Sequence, residues 1–221
     1  MQAHDQDDLQ RIYAQRFSSQ IEYRNRVWSI LVNHFFSKYI PQDASVLDLG
    51  CGYGEFINHV RATRKYGMDL NPDSPRHLKP DVKFLLQDCS QHWDIPDHSL
   101  DVVFTSNFFE HLSDKTALGK TLDEVRRCLK PGGRIIAMGP NIKFLSDAYW
   151  DFWDHHIPLS DLSLREALEI RDFFIEDCVD RFLPYTMSRK RPVPDFLIKI
   201  YLAIQPVWQF FGKQFLVVAR S

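Results

Sequence analysis

The residues best placed to do chemistry lie in one stretch, Val46-Leu47-Asp48-Leu49-Gly50-Cys51-Gly52-Tyr53-Gly54-Glu55-Phe56. An apolar run delivers a carboxylate, then glycine at alternate positions, then an amphipathic segment. Glycine accepts positive φ and lets a ligand approach the backbone with no Cβ in the way. A helix after the glycines would add unsatisfied N–H groups. Spacing separates the ligands such a turn could take. Dinucleotide sites favour Gly-x-Gly-x-x-Gly. Here Gly54 follows Gly52 by two residues, and the Glu55 carboxylate would repel a pyrophosphate. Asp48, ahead of the first glycine, suits a cationic group. The stretch points to a ligand with a nucleoside and a positively charged end, and away from a nicotinamide-dependent oxidoreductase.

A second set of residues could move a proton. Trp150-Asp151-Phe152-Trp153-Asp154-His155-His156 places two imidazoles beside carboxylates, and Glu110-His111 forms another pair. Histidine titrates near neutral pH, and a neighbouring carboxylate orients it and raises its pKa. His155 or His156 is read as a general base, with the choice between them open, and His111 is a further candidate.

These residues need elements to position them. Residues 5–39 predict a helix with a broad apolar stripe (Ile21, Val27, Trp28, Ile30, Leu31, Val32, Phe35, Phe36), stopped by Pro41. From Ser45 onward, apolar runs at 45–50, 65–70, 82–87, 100–106 and 134–139 alternate with helical candidates at 54–62, 73–79 and 114–129. Continuous apolar strands separated by helices imply a parallel sheet covered on both faces. Right-handed crossovers make it doubly wound, with ligands outside the carboxyl ends of the strands. Later come an expected capping box at Ser163-x-x-Glu166, a strand within 173–183, a helix over 195–211 and a last strand at 214–219.

Leu47-Asp48-Leu49-Gly50-Cys51-Gly52-x-Gly54 resembles motif I of class I S-adenosylmethionine-dependent methyltransferases. The later landmarks keep the family's order: Asp69 ending GMDL, Asp88 in LLQDCS, Asn107 after the fourth strand, and Leu129-Lys130-Pro131-Gly132-Gly133 entering the fifth. The resemblance covers about residues 40–141 closely and the remainder as architecture. It implies an α/β, doubly wound, Rossmann-like seven-stranded sheet with the last strand antiparallel. It also implies one domain over 1–221: a helical lid at 1–40, a cofactor-binding core at 41–141, and acceptor-side and C-terminal strands at 142–221. The implied cofactor is S-adenosyl-L-methionine. Its contacts would be Asp48, Gly50, Cys51, Gly52 and Gly54 in the turn, Asp69 with Leu70 at the ribose, Asp88 with the Cys89 backbone at the adenine, and Asn107 at the methionine side. Some members bind a divalent metal through Glu-x-x-Glu-His at this place. Here the pattern is Asn107-x-x-Glu110-His111, one carboxylate short, so no metal is read. An ion on Glu110, His111 and a loop histidine stands as the alternative.

The implied reaction is in-line methyl transfer, at a hydroxyl oxygen of a small-molecule, glycan or lipid-linked acceptor. The alternative is a regulatory module that binds the cofactor without turnover. Composition bounds the rest. The chain has 221 residues, 44% hydrophobic and 25% charged, an ordinary globular balance. A net charge of −2 argues against a surface built to grip nucleic acid. Four scattered cysteines with no Cys-x-x-Cys read as reduced thiols of a cytoplasmic protein, and the polar N-terminus is unlike a signal peptide. Residues 181–221 carry seven Lys or Arg and one acid, a net +6 that leaves −8 on the remainder. This tail has three readings: core helix plus solvated loop, peripheral contact with anionic lipid through 189–211, or contact with an acidic acceptor.

Overall fold

The computed structural model describes residues 21–145, 148–185 and 192–221. Its centre is a seven-stranded sheet: β1 (Ser45–Leu49), β2 (Arg64–Asp69), β3 (Val82–Leu86), β4 (Leu100–Ser106), β5 (Leu129–Pro140), β6 (Phe174–Val179) and β7 (Gln214–Arg220). The order is β3-β2-β1-β4-β5-β7-β6. Strands β1 to β5 pair in parallel, and β7 runs antiparallel to both β5 and β6. This is the expected doubly wound sheet with its last strand reversed. The order turns around between β1 and β4, where folds of this kind open a ligand crevice.

Alternation along the strands sorts side chains into two core layers. Val46, Phe104, Ile136, Leu216 and Val218 face the first, with α1 (Ile21–His34) and Trp208. Leu47, Leu49, Val103, Ile135, Val217 and Ala219 face the second, with α2 (Lys115–Cys128) and α3 (Asp161–Glu169). In the first layer Phe56 stacks on Phe104 at 3.5 Å between centroids, and Trp28 meets both rings edge-on. Burying each such ring contributes about 1.5–3 kcal/mol. The expected lid helix is thus tied into the core over its described part, and residues 5–20 of that expectation lie outside the described residues. Arg24 of α1 reaches Glu55 beside the glycine turn, 2.8 Å from Oε1.

Several local expectations change. No regular helix forms over 54–62; the chain makes turns there and returns to β2. Gly54 is left-handed at φ +75°. The Asn58 amide is engaged elsewhere, donating to the His77 carbonyl and accepting from Lys79 N–H. Side-chain bonds of that kind compete with helix propagation. Over 73–79 only a 3-10 turn, Ser74–His77, is present. The capping box is Ser160 with Ser163, not Ser163 with Glu166, so α3 starts earlier. Strand β5 begins at Leu129, directly after α2. The 195–211 helix is two, α4 (Asp195–Ala203) and α5 (Gln205–Phe211), broken at Ile204 ahead of Pro206, which has no N–H to continue the ladder. No helix among the described residues is long and apolar enough to cross a membrane. All four cysteines are free thiols.

Candidate active site

The glycine turn is fastened to β2. Gly50 N–H and Cys51 N–H both donate to the Met68 carbonyl, at 2.9 and 3.0 Å. Gly50, Gly52 and Gly54 all have positive φ. At Gly50 the reason is also steric: the Phe108 ring lies where a Cβ would stand. Asp69, at the carboxyl end of β2 and 6% exposed, accepts from Gly52 N–H and Asn71 N–H, each at 2.8 Å. Asp48 points beneath the turn, where Ile57 N–H lies 3.3 Å from its carboxylate. Burial pushes the Asp48 carboxyl well above the carboxylate range, the Ile57 bond opposes this, and the Glu55 and Asp69 charges reinforce it. Burial, with the Asp48, Asp69 and Glu55 charges, pushes the Cys51 thiol up.

The other expected cofactor residues are arranged around this turn. Leu70 is half-buried beyond Asp69. Asn107 is left-handed at φ +49°, donates its N–H to the Met138 carbonyl at 2.9 Å and its side-chain amide to Ser106 Oγ at 3.0 Å. Cys89 is buried, with its thiol pushed up to about 12 mainly by burial. Asp88 is exposed, and its carboxylate accepts from Ser90 N–H and Ser90 Oγ–H, which turns it into its own loop. Two groups beside the turn fit a nucleoside ligand: the Asp69 carboxylate at the tip of β2, and the buried Asn71 amide, whose Nδ2 has no partner among the described residues. The Cβ spaces at Gly50 and Gly54 are taken by Phe108 and by Leu78 and Asn58. Asn71 and Phe108 carried no signal in the sequence beyond following Asp69 and Asn107.

Proton-handling groups gather beside the turn. The 3-10 turn Phe109–His111 follows β4, and the loop after β5 folds back on it: His156 N–H and Ile157 N–H donate to the Glu110 carbonyl at 2.8 and 3.2 Å. Glu110 and His155 are buried, and their ligand atoms and that of His111 lie within 4.8 Å of one another. His111 Nδ1 sits 3.0 Å from the Asp154 carbonyl and 3.1 Å from its Oδ2. His155 stacks on Phe152 and packs against Tyr149, whose hydroxyl donates to the Ile157 carbonyl. Burial pushes the Glu110 carboxyl up to about 7, against the opposing pull of His111. Burial would lower the His111 imidazole, but the Asp154 bond and the Glu110 and Asp154 charges together hold it above its ordinary value. Of the three expected base candidates, His111 and His155 share this cluster, whereas His156 is exposed and meets it only through its backbone. Asp154, which fixes His111 from 43 positions away, is the partner that sequence spacing could not single out.

A family model described as a methyltransferase domain matches residues 21–177. The chain belongs to this methyltransferase family. Residues 21–177 are thus a methyltransferase domain, and the cofactor of such a domain is S-adenosyl-L-methionine. An uncharacterised Methanocaldococcus jannaschii protein, MJ0638, is 29% identical over 150 residues, covering 67% of this chain and 59% of that protein. A Yersinia pestis malonyl-[acyl-carrier protein] O-methyltransferase is 36% identical over 96 residues, 41% of this chain and 34% of its own. The chain thus spans three-fifths or less of the length of these curated relatives. Among solved structures, the methyltransferase in complex with the Haloferax volcanii Trm112 activator superposes with a TM-score of 0.69 at 20% identity, over 95% of this chain and 96% of that one. A SAM-dependent methyltransferase from Archaeoglobus fulgidus gives 0.67 at 21%, over 93% and 99%. At these identities the structures speak for the fold.

Proposed function

We propose that the chain transfers the methyl group of S-adenosyl-L-methionine to a hydroxyl oxygen of a small-molecule, glycan or lipid-linked acceptor. The observation that carries this reading is the short link from Gly50 to Glu110. Phe108 packs on the glycine turn, and two residues later the Glu110–His111–His155 cluster begins. A methyl donor seated at the turn has a buried polar cluster within one turn of chain. The Gly50, Gly52, Gly54, Asp69 and Asn71 side is assigned to the cofactor, with Asp48 bracing the turn from beneath. The Cys89 region is assigned to the adenine, and Asn107 to the methionine side.

The sulfonium is already activated, so alignment and exclusion of water supply most of the acceleration, roughly 7–11 kcal/mol when the geometry is right. The acceptor oxygen attacks the methyl carbon in line, the carbon–sulfur bond breaks, and the hydroxyl proton leaves on the side of the cluster. The exposed Trp150 and Trp153 flank the same loop and offer flat apolar faces to an acceptor.

A lipid-linked acceptor is favoured by one further feature. Helices α4 and α5 and their junction expose Phe196, Leu197, Ile200, Ile204, Phe210 and Phe211 next to Lys199, in the part of the chain that carries the +6 charge. Exposed apolar area beside Lys and Arg is what a headgroup boundary attracts. Arg189-Lys190-Arg191 of the same reading lie outside the described residues.

Transfer of labelled methyl from the cofactor to a panel of sugar glycosides and polyprenyl-linked sugars tests the reading. Label on an acceptor oxygen is the expected result. Tight S-adenosylhomocysteine binding with no label on any acceptor would favour the non-catalytic module instead.

A further inference from the structure

The cluster after β4 is put together as a ligand set, not only as a source or sink of a proton. Glu110 offers a carboxylate oxygen, and His111 and His155 each offer an imidazole nitrogen, all within 4.8 Å of one another. Glu110 is 3% exposed, and among the described residues no Lys or Arg pairs with it; the His111 imidazole is the favourable charge it feels. Burying a carboxylate with so little to offset it is expensive. Behind His111, the Asp154 carbonyl and Oδ2 both lie within hydrogen-bonding reach of Nδ1. Two acceptors there favour a proton on Nδ1, so that Nε2 is the nitrogen left to bind an ion once the ring is neutral. A carboxylate on the far nitrogen of an imidazole is the arrangement that orients metal-ligating histidines. Gly139, near the end of β5, packs against the cluster: a Cβ there would stand 3.5 Å from Glu110 Oε2 and 3.2 Å from the Phe215 ring.

We propose that Glu110, His111 and His155 bind one divalent first-row transition-metal ion. Two imidazoles and one carboxylate suit zinc, manganese, iron, cobalt or nickel, and leave coordination positions open. The role of the ion, though not its binding, rests on the hydroxyl-methylating reading above. Held by these three side chains, an ion would supply Lewis acidity that eases loss of the acceptor hydroxyl's proton. The acceptor O–H bond breaks with its proton passing to water, the oxygen–methyl bond forms, and the carbon–sulfur electron pair stays on sulfur as S-adenosylhomocysteine leaves. No oxidant or reductant is needed.

The test is calorimetric titration of the chelator-stripped full chain with zinc, manganese and cobalt salts, together with the absorption spectrum of the cobalt form. One equivalent bound, with visible bands typical of nitrogen-ligated cobalt, is expected. His155→Ala and Glu110→Gln should weaken binding at least tenfold. Asp154→Asn should weaken it roughly 10–100-fold while keeping the stoichiometry, and removal of the exposed His92 should leave it unchanged. Absence of saturable binding to the wild-type chain overturns the proposal, whether or not any variant folds. So does equal binding by wild type and His155→Ala. Methyl transfer to a hydroxyl without ion binding would refute the metal site alone; ion binding without methyl transfer would refute the function alone.

Discussion

The ring of Phe108 rests on the backbone of Gly50, so the loop after β4 and the turn after β1 pack with no space for a side chain between them. Gly50 also sits at φ +70°, a conformation that side-chain-bearing residues rarely adopt. The Phe108 contact, beyond the pairing of β1 with β4, joins the cofactor side of the site to the Glu110 side.

Gly50→Ala therefore suffers twice, from the clash with Phe108 and from backbone strain. The expected loss of stability is about 1–3 kcal/mol, accompanied by a collapse of cofactor affinity. Thermal denaturation and titration with S-adenosylhomocysteine measure both. A variant with wild-type melting temperature and affinity would mean that the turn and the Phe108 loop are not packed as described.

Asp69→Ala removes the carboxylate that bridges Gly52 N–H and Asn71 N–H at the tip of β2. Cofactor affinity should fall by about 1.5–3 kcal/mol, the range for hydrogen bonds to charged groups, or roughly ten- to a hundredfold. Asp88→Ala should do less, because Asp88 is exposed and already bonded within its own loop. Equal affinity losses for the two variants would contradict this ordering.

His155→Ala should reduce methyl transfer by about 10²-fold or more, the size of the help given by easing the proton off an acceptor hydroxyl, while leaving S-adenosylhomocysteine affinity near wild type. His156→Ala should stay within a few-fold of wild type, since its side chain is exposed and only its backbone N–H reaches Glu110. Steady-state rates on an identified acceptor decide between them, and the reverse order would discard the cluster as the reacting neighbourhood.

Low pH should cost the fold one identifiable contribution. Burial would raise the Asp101 carboxyl, but the Lys130 ammonium at 2.8 Å and the Ser45 N–H hold it below the usual carboxylate value. A carboxylate depressed in the folded state stabilises that state at pH above its unfolded value, near 3.9. The contribution is lost as pH falls through the lower folded value. Partly exposed ion pairs are worth about 1 kcal/mol or less. Asp101→Asn should therefore lower denaturant stability at pH 7 but narrow its gap to wild type below about pH 3. A gap that is constant with pH would show that the ion pair contributes nothing to the fold.

Phe210→Asp with Phe211→Asp should reduce flotation of the chain with vesicles containing anionic lipid, and added salt should reduce it for the wild type. Wild-type chain that ignores anionic vesicles at low salt would leave the exposed face of α4 and α5 without a membrane role.

The sequence by itself determined the strand runs, the glycine turn and the order of landmarks along the chain, because each is a local pattern. An apolar run, alternate glycines and the 4-3-4 spacing of Leu118, Leu122, Val125 and Leu129 report on nearest neighbours. The same logic misread residues 54–62. Phe56, Ile57 and Val60 fit a helical stripe and are indeed buried, but less than two turns of pattern cannot distinguish a helix from a turn that delivers the same side chains to the core. Only the tertiary structure decided which histidine has a carboxylate behind it. His111 and Asp154 are 43 residues apart, and they meet because β4 and β5 end side by side and the loop after β5 folds back across the end of β4. Sequence proximity suggested Asp154 for its neighbours His155 and His156. Sheet pairing set the loop's position, and so gave Asp154 to His111, buried His155 and left His156 in solvent.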